Sequence, residues 1–177
     1  MEQEFPGQVD ATSIYLINAQ NKMLMAYSAT TPGDKSTPIN MTNHAYWNLS
    51  GDFKDATIAA HTMKMNCSNM LEMDAGSIPT GEIRAVQGTP FDFTGEFSAF
   101  GDRDRLTGAI DAGGKPGIDH AFVNDREGGV NAQNFIEVAA LRHEGSGREM
   151  KIWTTQAATV CYTANYLAED DSDGIHR

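Results

Sequence analysis

Asn134-Phe135-Ile136-Glu137-Val138-Ala139-Ala140-Leu141-Arg142-His143-Glu144, then Gly145-Ser146-Gly147, then Arg148-Glu149-Met150-Lys151-Ile152-Trp153-Thr154-Thr155-Gln156 is the stretch on which the fold turns. Both arms alternate, the period of strands that bury one face. Gly-Ser-Gly between them supplies the backbone freedom of a reversal, so the stretch reads as a β-hairpin. Downstream, Thr159 to Asn165 adds a strand. Upstream, Phe5-Pro6-Gly7 signals a turn, Val9 to Asn18 alternates, Ala19-Gln20-Asn21-Lys22 breaks the pattern, and Met23 to Ser28 returns as a second hairpin. Thr57 to Met65 and Asn69 to Met73 are further strand candidates. Residues 75 to 102 are dense in Gly and Pro and read as a long ordered loop with small strands. Ser98 to Thr107 is expected to form one short helix, and Asp111 to Gly117 a flexible or closely approached loop. No long 3.6-residue period and no fixed repeat occurs. Many short strands with recurrent turns predict an antiparallel all-β sandwich in a single domain, residues 1–177.

The composition is that of a globular chain, 40% hydrophobic and 21% charged over 177 residues. A net charge of −11 opposes binding to nucleic acid or an anionic membrane surface, so neither is an expected partner. The N-terminal Met1-Glu2-Gln3-Glu4-Phe5 has no basic region and no apolar run, and no stretch approaches transmembrane length. Cys67 and Cys161 are isolated thiols without a Cys-x-x-Cys context, which fits a reducing, cytoplasmic setting. Nine Met residues read as flexible core fillers.

The chemistry-bearing stretch is Thr37-Pro38-Ile39-Asn40-Met41-Thr42-Asn43-His44-Ala45-Tyr46-Trp47-Asn48-Leu49-Ser50-Gly51. It holds no formal charge but three Asn, a His, a Tyr and a Trp. Neutral amides and an imidazole suit hydroxyls, and aromatic faces suit C–H groups, so the stretch fits a pocket for a polyhydroxylated molecule. His44 is its only group titrating near neutrality and is the candidate for moving a proton. The competing reading is a buried histidine satisfied by a backbone carbonyl.

Asn43-His44-Ala45-Tyr46-Trp47-Asn48-Leu49-Ser50-Gly51 resembles the histidine motif of the aldose 1-epimerases, or mutarotases. Three later stretches resemble the same family in the same order: Ile78 to Ile83 with Gly88 to Phe93, then Gly117-Ile118-Asp119-His120-Ala121-Phe122, then Thr154-Thr155-Gln156 with Tyr162 to Leu167. The resemblance runs from about Phe5 to Leu167. It implies the large twisted β-sandwich of that family and interconversion of the α and β anomers of an aldose, galactose or glucose.

That reaction opens and recloses a hemiacetal ring. One group protonates the ring oxygen while another removes the anomeric hydroxyl proton, and rotation about C1–C2 exposes the other face of the aldehyde. The resemblance makes His44 the general acid and places Tyr46, Asp119 and Gln156 on the sugar. It implies no metal and no organic cofactor, and a monosaccharide substrate, an aldohexose, as partner. Without the resemblance, Asp119 reads as a loop carboxylate and Gln156 as a strand residue bonding its neighbour. His120 is expected to be structural, and His61, His143 and His176 ordinary core or surface residues.

A complete family member is about twice this length. A first sugar-binding His and an Asn-Arg pair precede the region matching Phe5. The catalytic Glu follows the region matching Leu167, so no base is assigned here, and Glu82, Glu144 and Glu169 are the replacements to consider. The 177 residues alone are therefore expected to catalyse poorly and to self-associate through exposed strand edges. A carbohydrate-binding module without chemistry and a fragment needing a second chain are the alternatives. In the acidic tail, residues 168–177, Glu169, Asp171, Asp173 and Gly174 mimic the start of a calcium loop, but the stretch reads as a solvated, disordered terminus. Phosphate-loop, nucleophile-elbow and zinc signatures do not occur.

Overall fold

The structure, a computed structural model, describes residues 5–52, 58–100, 113–127 and 134–167. Contacts divide the chain into two compact units, Met1–Trp47 and Asn48–Arg177.

In the first unit, β1 (Asp10–Ile17) and β2 (Met23–Thr30) form an antiparallel hairpin in register from Asp10↔Thr30 to Ile17↔Met23. The Asn18 side-chain oxygen accepts the N–H groups of Gln20 and Lys22, each at 3.0 Å, and Asn21 takes a left-handed φ of 55° that asparagine tolerates. Every residue of β1 is exposed.

The second unit contains β3 (His61–Met65), β4 (Asn69–Met73), β5 (Pro79–Ala85), β6 (Ser98–Ala99), β7 (Asp119–Val123), β8 (Ile136–His143), β9 (Arg148–Thr154) and β10 (Ala158–Tyr162). They make two four-stranded antiparallel sheets in the orders β6-β3-β8-β9 and β10-β7-β4-β5. Met63, Met65, Val138 and Ala139 of the first sheet share one core cluster with Met70 and Phe122 of the second, so the two pack as a sandwich. Phe91, Phe93, Phe100 and Ile118 complete that core from the connections. Each fully buried Phe or Met side chain contributes roughly 1.5–3 kcal/mol. Alternation decides what faces it: His61, Met63 and Met65 of β3 are buried, as are His120 and Phe122 of β7. Asp119, at the start of β7, stands off that face.

The β8–β9 hairpin forms as its sequence predicts, over Ile136–His143 and Arg148–Thr154. Its reversal is a single 3-10 turn, Glu144–Ser146, closed by Gly147 at φ 69°. The His143 Nδ1 accepts the Ser146 N–H at 3.0 Å. A register shift between Glu137 and Ala139 bulges β8. Asn66 satisfies the bulge, its backbone N–H donating to the Val138 carbonyl at 2.9 Å and its side-chain amide to the Glu137 carbonyl at 2.8 Å.

The short helix expected from Ser98 is corrected at its start. Ser98 and Ala99 pair with Met63 and Thr62 as β6, because an edge of β3 is open to them, and residues 101–112 lie outside the described residues. The loop expected over residues 75 to 102 holds a seven-residue strand, β5. β7 has no counterpart among the sequence-read strands, although it pairs with both β4 and β10. Residues 168–177, with the calcium-like spacing, lie outside the described residues, as does His176.

Candidate functional site

His44 lies exposed in the non-regular segment after β2, which rules out the buried, backbone-satisfied histidine that spacing alone suggested. Its imidazole is tilted 47° against the Tyr46 ring at a centroid distance of 5.4 Å. Residues two apart in extended chain point to one side, and these two do. An imidazole and a phenol thus stand side by side at an open surface. Asn43, between the exposed Thr42 and His44, is half-buried. Its side-chain oxygen accepts the Ala45 N–H at 2.9 Å, and its amide donates to the Tyr15 hydroxyl at 3.2 Å.

The second half of the same stretch has a different use. Asn48-Leu49-Ser50-Gly51 is an anchored turn of the larger unit. The Leu49 N–H donates to His61 Nε2 at 3.0 Å, and the Leu49 carbonyl accepts from the Ser146 hydroxyl at 2.7 Å and from Arg148 Nη1 at 3.2 Å. Arg148 Nη1 also donates to the Ser50 carbonyl at 3.0 Å. A Cβ on Gly51 would be strained by its φ of +70° and would meet that guanidinium at 2.8 Å, so a larger residue would press on the Arg148 anchor. His61 is 2% exposed, and its ring lies 4.9 Å from that of His143. Burial chiefly, and His143 second, hold His61 below the usual histidine range. An Nε2 that accepts an N–H is unprotonated, in agreement with that direction.

Asp119 is placed by its neighbours on either side. Ile118, fully buried, donates its N–H to Thr163 Oγ1 at 2.8 Å, and the Thr163 N–H returns to the Ile118 carbonyl at 2.9 Å. The Thr163 hydroxyl also bonds the Asn165 side-chain oxygen. This pair sits on Gly117, where a Cβ would lie 2.6 Å from Thr163 Oγ1 and closer still to Asn165. Asp119 itself pairs with Tyr162, and its N–H donates to His120 Nδ1 at 3.3 Å. His120 is 4% exposed and packs on Phe91 at 4.5 Å, a core histidine as expected.

Gln156 is exposed in the turn before β10. Its carbonyl accepts the Asn124 side-chain amide at 3.0 Å, and its N–H donates to Thr154 Oγ1 at 3.1 Å. Because Val123 pairs with Ala158 and Asp119 with Tyr162, Gln156 and Asp119 stand at opposite ends of the β7–β10 pairing. Four steps of antiparallel strand, about 14 Å, run from Asp119 to Val123 along β7, and Gln156 lies two residues beyond Val123's partner Ala158. The structure therefore brings His44 to Tyr46 in one unit and keeps Asp119 and Gln156 apart in the other. An open cavity of about 400 Å³, lined by Ser68, Gln87, Asp92 and Thr94 among others, contains none of these four. Among the described residues no group of three His, Cys, Asp or Glu could hold a metal ion.

The sequence profile of a family described as aldose 1-epimerase matches residues 1–175. The chain belongs to the aldose 1-epimerase family. Its match spans both units. Over 98% of this chain and 47% of theirs, it is 34% identical to the aldose 1-epimerase of Escherichia coli (strain K12). It is 31% identical to the galactose mutarotase of Bos taurus, over 94% of this chain and 44% of that one. Among solved structures, the GalM/aldose epimerase homologue from C. elegans superposes with a TM-score of 0.72 at 27% identity, covering 92% of this chain and 45% of that one. The galactose 1-epimerase from Lactobacillus acidophilus NCFM superposes with a TM-score of 0.58 at 26% identity, covering 78% and 36%. The all-β antiparallel fold expected for an aldose 1-epimerase is the fold present. The chain spans about half the length of these relatives.

Two groups of this family member escaped sequence reasoning. Tyr15 and Tyr27, hairpin residues by pattern, reach the histidine segment through Asn43. Thr163 and Asn165 brace the residue before Asp119. Only the presence of Gly117 just ahead of Asp119 signalled a close approach there.

Proposed function

We propose that this chain takes part in aldose 1-epimerisation, interconverting the anomers of an aldohexose such as galactose or glucose in the cytoplasm. His44 is the general acid that protonates the ring oxygen, Tyr46 contacts the sugar beside it, and Asp119 accepts bonds from sugar hydroxyls; Gln156, at the other end of the β7–β10 pairing, is left out of that set. The observation that carries this reading is His44 itself. It is exposed beside Tyr46, in a stretch that the family profile covers.

An exposed imidazole meets the first requirement of a proton donor, which is access to the reacting oxygen. A carboxylate such as Asp119, on the strand face away from the core, suits charge-assisted bonds to hydroxyls. The ring-opening step also needs a base, and none of the 177 residues is assigned that role. Glu82 is exposed on β5, Glu144 opens the hairpin turn, and Glu169 lies outside the described residues. The isolated chain is accordingly a slow catalyst. β5 is an edge strand, and Ile78, Ile83, Trp153 and Val160 are exposed apolar residues, which favours self-association. Light scattering reads the association. Titration of galactose into the labelled chain tests the site: saturable shifts at His44 and Asp119 are expected, and shifts at neither would end this reading.

A further inference from the structure

The face of the histidine segment opposite to His44 is built into a chain of side chains that ends on the β1–β2 hairpin. Tyr15 pairs across the hairpin with Met25, which places Tyr27 diagonally from it on the same face. The two rings meet edge to face at 6.4 Å and 85°, and their hydroxyl oxygens lie 3.4 Å apart. Asn43 Nδ2 donates to the same Tyr15 oxygen at 3.2 Å. The Asn43 carboxamide cannot turn over, because its oxygen is held by the Ala45 N–H at 2.9 Å. The Tyr15 hydroxyl thus accepts from Asn43 and shares a second hydrogen bond with the Tyr27 hydroxyl. The contacts with Tyr27 first and Asn43 second hold the Tyr15 hydroxyl below the ordinary tyrosine range, while the contact with Tyr15 pushes Tyr27 above it. Asn43 is directed inward to this chain, whereas His44 and Tyr46 stand outward with their rings together.

We propose that Tyr15, backed by Tyr27, is a positioning residue for His44, latching the Asn43–Ala45 turn to the hairpin and so fixing the direction in which the imidazole presents its proton. The latch touches no reacting atom. It acts by removing the freedom of a segment that has no regular structure of its own between β2 and Trp47. A donor fixed before the sugar arrives needs no reorganisation in the proton transfer, and misplacement by an ångström is enough to slow such a step. This inference rests on reading His44 as the acid.

Tyr15→Phe is the test, because it keeps the ring and removes only an exposed hydroxyl. Nuclear magnetic resonance of the 177-residue chain reads the latch without sugar. We expect the cross-strand contacts of β1 and β2 and the melting temperature to stay unchanged. The Asn43 side-chain amide should move, and the His44–Tyr46 ring contact should weaken by about threefold as the segment averages over rotamers. Tyr27→Phe should give a smaller change in the same direction. In a form of the protein extended to the relatives' length, Tyr15→Phe should lower kcat about tenfold with KM nearly constant, since orientation and not binding is lost. An unchanged Asn43 amide and unchanged ring contact in Tyr15→Phe overturn the latch, whatever His44 does. Loss of activity in His44→Ala with full activity in Tyr15→Phe overturns the positioning role of Tyr15. Full activity in His44→Ala overturns the reading of His44 as acid, and the positioning role falls with it.

Discussion

Replacing Gly117 by Ala should destabilise the larger unit by an amount the structure sets. Gly117 has φ +125°, a conformation nearly closed to residues with a Cβ, at a cost of roughly 1–3 kcal/mol. The added methyl would also lie 2.6 Å from Thr163 Oγ1 and nearer to Asn165, so that pair must move. Moving it gives up the 2.8 Å bond from the Ile118 N–H, worth about 1 kcal/mol. The sum is about 2–4 kcal/mol, or a melting temperature lower by about 5–15 °C for a chain of this size. Gly114→Ala is the control: its φ is +84° but nothing lies within 4 Å of its Cβ, so only the backbone part of the loss should appear. Urea denaturation and thermal melts of both variants give the comparison. A Gly117→Ala variant within about 0.5 kcal/mol of the parent would refute the close approach between Gly117 and the Thr163–Asn165 pair.

Four further outcomes follow from named groups. His44→Ala, in a form extended to the relatives' length, should slow mutarotation about a hundredfold by polarimetry while sugar affinity changes less. Asp119→Asn should weaken sugar binding by roughly 1.5–3 kcal/mol in calorimetry with the fold intact, and equal affinity would make Asp119 a structural carboxylate. Burial, then His143, hold His61 below its ordinary range, so the unfolded chain takes up a proton that the folded chain refuses. That contribution to stability is complete above about pH 6.5 and is lost as the pH falls from there toward the folded value; His61→Gln should flatten this part of the urea profile, and an unaltered profile would contradict it. Cys67 and Cys161 are both pushed up to about 12, chiefly by burial, so iodoacetamide should spare them in the native chain and label both in denaturant.

Legibility in the sequence followed the range of the determining interactions. The β8–β9 hairpin was readable because its signal is local: alternation on both arms and glycines at the reversal. β4 was read with its observed bounds, Asn69–Met73, for the same reason. β7 was not, since its five residues follow a glycine-rich stretch and acquire strand geometry only by pairing with β4 and β10. Ser98 and Ala99 favoured a helix locally and became strand because β3 offered them partners. At the candidate site, His44 stood out in sequence as a lone titratable side chain among neutral amides, and the family resemblance suggested the role proposed for it. The reading of residues 37–51 as one pocket-lining run did not separate its two halves. Nothing local in Asn48-Leu49-Ser50-Gly51 announces that His61, Ser146 and Arg148, from elements far along the chain, will hold it. The Tyr15–Asn43 contact is equally non-local, spanning 28 residues.

On the proposed reading, this chain supplies the acid of an anomer-interconverting site and no residue of it is assigned as the base. Polarimetry of galactose with added acetate, a diffusible base, tests it most directly. Without acetate the parent chain should run near the uncatalysed rate. With acetate it should exceed the rate of acetate alone, and His44→Ala should remove that excess. Equal rates for the parent and His44→Ala under both conditions would contradict the account.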